Sequence, residues 1–470
     1  PNPEAKPVSA DDTAHPGGKV GHRRTQHKAL WPPKQLGATG ISAAHAMPAG
    51  PRATPASHVE CFVCLQLPDQ PRRYTVKPQL RDLTGGYRVR HFHCLPVIAG
   101  ITAGLIAGVP AATAPAGAHP AAISLTGNGT ELGDGIAFLM GGTGMPQPSD
   151  RYLEAADNLY LQPHGFGGEL VSLWTPENVS STSQAVGGQI LYNAVMDEIN
   201  GGQVDADHPV VVFGYSQSAS ISVGLMERLA EEGVSNDLVR FVLIGSPGTS
   251  GVPTDLYHTD VYNYEYDPVA FRPTYFNPLA DLNSILGFIY GHSVLLSATP
   301  EQVESAIELP TADPDSLTTF HMITSDVLPV LAPLQLVPIL GQPLYELLEP
   351  VTRILVNLGY GNIEYGWPPG DVDVPAASGI FPTDIDLGDL LTALGNGVQE
   401  GVSNAISSLL DPATYQIIPL VEHPSLAGII QEGYIVGAID TPTPTLAEAL
   451  TGLAAFFEGF TDTTEYPMPD

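Results

Sequence analysis

The chain has 470 residues, 43% of them hydrophobic, enough to bury a sizeable core in one or two domains. Its formal net charge of −32 is uneven: residues 1–93 carry 13 Lys and Arg against 6 Asp and Glu, whereas residues 94–470 carry 5 against 44. So acidic a body argues against nucleic acid and other polyanions as partners and favours a neutral or apolar substrate.

Residues 1–88 are rich in Pro, Ala, His and basic side chains and show no sustained helix or strand period. They are expected to be a disordered or non-native upstream stretch, with Val89 the candidate start of the native chain. A weaker alternative is a zinc module of Cys61 and Cys64 with His91, His93 and Cys94, but that spacing is loose. Residues 89–118 have the layout of a secretory signal peptide. Arg88 and Arg90 supply the basic flank, Leu95 to Val109 the apolar run, Pro110 the break, and Ala116-Gly117-Ala118 the cleavage pattern. The alternative is a membrane anchor over 95–114. The run is short of the ~20 residues a span needs, and Gly100, Gly104 and Gly108 weaken it. The expected location is therefore secreted or cell-envelope.

Beyond residue 118 the pattern becomes regular. "GIAFLMGGTGMP" (135–146) predicts a strand ending in a glycine-rich turn, and "SDRYLEAADNLYL" a helix capped by Ser149 or Asp150. A second helix is expected over 181–201, stopped at Asn200-Gly201. "HPVVVFG" is a strand without polar alternation, as when helices cover both faces. "QSASISVGLMERLAEEG" is helical, "LVRFVLIGSP" a buried strand, and "DVYNYEYDP" a strand ended by Pro268. Strands alternating with helices predict an α/β fold with a doubly wound, mostly parallel sheet. Residues 366–385 are a Pro/Gly/Asp-rich connection. The stretch 366–470 then carries additional C-terminal amphipathic helices, with Leu387, Leu390, Leu391, Leu394 and Val398 and later Leu446, Leu450, Leu453 and Phe457 at helical spacing. They are expected to pack on the core; a lid or a lipid contact is the sharper alternative.

The stretch "VVVFGYSQSAS" places Ser216 between a buried strand and a helix, with small residues two before (Gly214) and two after (Ser218). That is the nucleophile elbow of α/β-hydrolase enzymes, in which the turn is too sharp for larger neighbours. The usual pattern is G-x-S-x-G, so Ser218 is a small departure. The N–H of Gln217, at the helix start, is the natural oxyanion donor, and Thr143 in "GGTGMP" is the second. A phosphate cradle is the weaker reading of that turn, since no G-K-[ST] follows.

A serine nucleophile needs a base and an orienting carboxylate, in the order Ser, Asp, His. Asp267 stands where the 261–266 strand ends. His258 precedes it and is out of order, and His423 lies in the late tail. His292 and His321 both satisfy the order. His292 follows a helical run at Gly291, a loop position, whereas His321 lies inside the strand-like "LTTFHMIT". This chemistry requires no cofactor and no metal.

Together, "GGTGMPQPS", "VVVFGYSQSAS", "YEYDPVAFRPTYFNPLADLNSILGFIYGH" and "LVNLGYG" resemble the PE-PPE domain of mycobacterial proteins, from about Gly133 to Gly361. The resemblance implies a cutinase-like serine α/β-hydrolase over residues 119–365, with a G-x-S-x-S elbow that accounts for Ser218. It implies nucleophile Ser216, acid Asp267 and base His292, with His321 the alternative. The helical PE or PPE modules are not read in residues 1–118, which is similar to stand-alone members. The resemblance thus implies an exported esterase or lipase acting on lipid or short-chain acyl esters. The alternatives are an acyltransferase with a trehalose glycolipid acceptor, or a catalytically silent envelope protein in contact with membrane or envelope lipid.

Overall fold

The computed structural model describes residues 131–469; the upstream stretch, the signal-like run and the Cys and His set around Cys61 lie outside them. Seven strands form one sheet: β1 (Ile136–Leu139), β2 (Glu169–Ser172), β3 (Val210–Tyr215), β4 (Val239–Ile244), β5 (Thr259–Tyr264), β6 (Ile307–Leu309) and β7 (Thr318–Ile323). Their order is β2-β1-β3-β4-β5-β7-β6, with β6 antiparallel to β7 and every other pair parallel.

Every residue of β3 and β4 is buried, because helices cover both faces. The period of two divides the side chains between two cores. Val210, Val212, Phe241 and Leu243 join one; Val211, Phe213, Tyr215, Val242 and Ile244 join the other. The strand order reverses between β1 and β3, which pair from Ile136–Val210 to Leu139–Phe213. In such sheets the crevice beyond the carboxyl ends at the reversal is the natural binding place.

The helices are α1 (Asp150–Ala156), α2 (Ser183–Gly201), α3 (Gln217–Glu231), α4 (Pro278–Tyr290), α5 (Pro300–Glu304), α6 (Gly341–Asn357), α7 (Leu387–Leu410), α8 (Ala427–Ile435) and α9 (Leu446–Gly459). Ser149, not Asp150, caps α1: its hydroxyl accepts the Tyr152 N–H. The helix read through "ADNLYL" runs on as a π-helical turn, Asp157–Leu161. The strand read to residue 266 stops at Tyr264. The C-terminal helices only partly cover the core. α7 lies along α6, with a Cβ at Gly401 reaching 2.3 Å from the Leu347 carbonyl oxygen, while Leu387, Leu391 and Leu410 stay exposed. α9 packs with α8 through Ile430, Ile439 and Ala449. Among the described residues no helix is long and apolar enough to cross a membrane.

Candidate active site

Ser216 sits between β3 and α3 with φ +56° and ψ −107°, a conformation that a side-chain-bearing residue adopts only under constraint. A Cβ at Gly214 would come within 2.9 Å of the Ser218 and Ala219 backbone, so only glycine fits there. Ser218 is fully buried. Its hydroxyl accepts the Tyr215 N–H at 2.7 Å and donates to the Tyr215 carbonyl at 3.1 Å. The departure from G-x-S-x-G thus carries two hydrogen bonds that close the elbow, which a glycine would lack. Gln217 opens α3, so its N–H has no intrahelical acceptor. Its side chain is held by the Asn178 carbonyl and the Ser183 hydroxyl.

The turn after β1 lies against this elbow. A Cβ at Gly142 would be 3.2 Å from Ser216 Cβ. The turn is pinned on both sides of Thr143. The Gly144 N–H donates to the Glu177 carbonyl at 2.7 Å, and the Met145 N–H to the Gly142 carbonyl at 2.9 Å. Thr143 itself, the residue after Gly142, is half-buried.

His292 follows α4 and Gly291, opening a short 3₁₀ turn, His292–Ser297. Its Nε2 lies 2.9 Å from Ser216 Oγ and its Nδ1 2.8 Å from Asp267 Oδ2. Asp267 is fully buried beyond β5, and its other oxygen accepts the Val269 N–H at 2.8 Å. The ring packs between Phe288 and Tyr215. Phe288 stacks on it at 5.0 Å and 25°, and the Tyr215 hydroxyl donates to the His292 carbonyl at 2.6 Å. Gly245, at φ +57°, leaves the room: a Cβ there would meet His292 Cε1 at 2.9 Å.

His321 stands on β7, stacked on Tyr262 at 4.3 Å, with Nε2 bonded to Asp260 Oδ1 at 3.1 Å. His164 joins that cluster through the Tyr262 hydroxyl at 2.6 Å. His423 bonds Ser425 near the C-terminal helices. The structure therefore brings Ser216, Asp267, His292 and Gln217 to one place, sets the turn that bears Thr143 against the elbow through Gly142, and puts His321 elsewhere. Among the described residues no group of His, Cys, Asp and Glu could hold a metal ion.

Sequence reading passed over two buried acids beside these elements. Glu177, at φ +42° and fully buried, accepts the Thr175 hydroxyl at 2.7 Å; burial pushes its carboxyl up to about 8. Glu432 on α8 is likewise pushed up to about 8 by burial, with groups of Leu296, Ser297 and Tyr215 pulling the other way. Glu177 in "TPENVS" gives no sequence signal of its burial, and Glu432 in "IIQEGYIV" reads as one polar position on a helix.

A family model described as the PE-PPE domain matches residues 170–252 and 248–361. The PE family protein PE3 of Mycobacterium tuberculosis is 32% identical over 326 residues, covering 60% of this chain and 67% of PE3. The chain belongs to the PE-PPE domain family. The uncharacterized PPE family protein PPE28 of M. tuberculosis is 34% identical over 330 residues, and the esterase PE16 of that organism 32% identical over 337. These matches cover 62% and 61% of this chain, but only 49% of PPE28 and 61% of PE16. The PE-PPE chain thus spans about half to three fifths of these curated relatives. A solved cutinase-like protein from Cryptococcus sp. matches 59% of this chain and 95% of its own, at 15% identity and a TM-score of 0.24.

Proposed function

We propose that this PE-PPE domain protein is a serine esterase acting on neutral acyl esters through Ser216, His292 and Asp267. One observation carries the reading: the unbroken line from Ser216 Oγ to His292 Nε2 (2.9 Å) and from His292 Nδ1 to Asp267 Oδ2 (2.8 Å). The name of PE16, an esterase, supports it. Ser216 Oγ attacks the ester carbonyl carbon while His292 Nε2 takes the hydroxyl proton. Buried Asp267 accepts from Nδ1–H, fixing the tautomer and stabilising the imidazolium. The N–H groups of Gln217 and Thr143 hold the oxyanion. Collapse breaks the bond to the alcohol, which leaves with the proton from His292, and water then releases the acyl group by the same steps in reverse roles.

The test is Ser216→Ala. Hydrolysis of p-nitrophenyl esters should fall by roughly 10⁴–10⁶-fold and labelling by a fluorophosphonate probe should vanish, with the fold unchanged by circular dichroism. Retention of more than a few per cent of activity would remove Ser216 from the reaction.

A further inference from the structure

We infer that the C-terminal segment Phe456–Tyr466 builds an acyl-chain subsite beside the Ser216–His292 pair, with Phe460 and Phe457 as its specificity-determining residues. The inference rests on the esterase reading above. Phe288, whose ring stacks on His292, meets Phe460 edge to face at 6.1 Å. Phe460 in turn meets Phe456 at 5.3 Å and Phe457 at 6.0 Å. Four aromatic rings thus run outward from the imidazole, and their exposure rises along the way. His292 is buried, Phe288 and Phe460 are half-buried, and Phe457 is 40% exposed. Ile285, one turn before Phe288 on α4, is 65% exposed and extends the apolar surface.

The wall is fastened to the oxyanion turn and not merely near it. Gly459 lies so close that a Cβ on it would be 2.9 Å from Gly144 Cα. Beyond it the chain is strapped down. The Val179 N–H donates to the Asp462 carbonyl at 2.9 Å, and Asn178 Nδ2 to the Thr464 carbonyl at 2.9 Å. The Ser181 and Thr182 hydroxyls donate to the Glu465 carboxylate, and Tyr466 packs on Trp174 at 5.3 Å. Asn178 also holds Gln217 through its carbonyl. Strap, elbow and oxyanion turn therefore share one set of contacts.

The geometry selects the occupant. An ester bound at Ser216 directs its leaving oxygen to His292 Nε2, in the plane of the ring. Phe288 lies off the ring's face with Phe460 against it, and Gly459 joins them to the turn bearing Thr143, the donor for the acyl carbonyl. The arm that meets the wall is the acyl chain. With 44 acidic residues against 5 arginines in residues 94–470, the chain it accepts is neutral and aliphatic.

The experiment compares kcat/KM for p-nitrophenyl acetate and octanoate in the full chain and in Phe460→Ala and Phe457→Ala. Acetyl is too short to reach the wall and serves as the internal reference. Each buried methylene is worth about threefold to fourfold. The octanoate-to-acetate ratio should drop at least tenfold in Phe460→Ala and less in the more exposed Phe457→Ala. In parallel, 2-decanone, a neutral ketone with an eight-carbon arm, is titrated by NMR into Ser216→Ala with and without Phe460→Ala, and should bind about tenfold more weakly to the double variant. An unchanged ratio and unchanged ketone binding overturn the subsite and leave the triad standing. Ketone binding that depends on Phe460 in a protein that hydrolyses neither ester overturns the triad and leaves the subsite standing. If the variants lose selectivity among acetates of longer alcohols instead, the wall serves the alcohol arm and the acyl assignment fails.

Discussion

His292 and His321 are both buried, both in sequence order after Ser216 and Asp267, and both bonded to an aspartate. Position separates them. Gly291 ends α4 and lets His292 turn toward the elbow, while Gly245 at φ +57° keeps a side chain out of the ring's place. His321 is fixed by the pleat of β7, opposite Tyr262 in the β5–β7 register. Its stacking on Tyr262 and its bond to Asp260 make it part of the core's polar seam. The pair of substitutions is therefore asymmetric. His292→Ala should lower the acylation rate by roughly 10³-fold or more, and because it takes the Nδ1 partner from the fully buried Asp267 it should also cost roughly 1–3 kcal/mol of stability, so the rate is what separates the two variants. His321→Ala should change that rate by at most about tenfold and lower stability by roughly 1–3 kcal/mol, because it removes the ring stacked on Tyr262 and the hydrogen bond to Asp260, leaving Asp260 only the longer 3.6 Å contact with His164. Rapid-mixing acylation and urea unfolding measure the two; the reverse ranking would move the base to β7.

At the scale of the element, the glycines in helices do opposite things. Gly224 on α3 has open space where a Cβ would stand, whereas at Gly401 on α7 a Cβ would be 2.3 Å from a carbonyl oxygen of α6. Gly224→Ala should stabilise the chain by roughly 0.5–1 kcal/mol through helix propensity. Gly401→Ala should destabilise it by roughly 1–3 kcal/mol by forcing the α6–α7 pair apart. Urea unfolding curves report both signs, and stabilisation by Gly401→Ala would mean that α7 does not rest on α6 in solution. The same scale shows what the sequence made legible. Unbroken apolar runs such as Val210–Phe213 and Phe241–Ile244 announce strands covered on both faces, and Ser216 between small residues two before and two after announces the elbow. The edge strands β2 and β6 were not read, because four and three residues give too little period to register. The strap was illegible for another reason. "GFTDTTEY" has no periodicity, and its place is set by partners at residues 174–182, nearly 300 positions away.

For the whole molecule, charge and burial act together on the response to pH. Glu177 and Glu432 are fully buried, and burial pushes each carboxyl from its ordinary value of 4.5 up to about 8. Below pH 4.5 both folded and unfolded chains hold these protons, and above pH 8 neither does. Between those limits the folded chain holds more protons than the unfolded chain, so stability must fall as pH rises. Each group contributes on the order of a few kcal/mol across that window. Repulsion among the acidic residues of the body acts in the same direction. The opposite slope belongs to Asp260. Burial alone would raise it, but the bond from His321 and the charge of His164 hold it below the usual range. Its contribution is present above the ordinary carboxylate pKa and is lost as pH falls through the lowered one. The stability maximum should therefore lie on the acid side of neutrality. Glu432→Gln keeps the shape of the side chain and cannot ionise, so it isolates one arm of the argument. In urea unfolding of the full chain at pH 5, 6.5 and 8, the variant should gain on the wild type steadily, by roughly 1 kcal/mol for each pH unit. A difference between the two proteins that stays constant from pH 5 to pH 8 would show that Glu432 is already ionised in the folded chain, and the buried proton would have to be struck from the account.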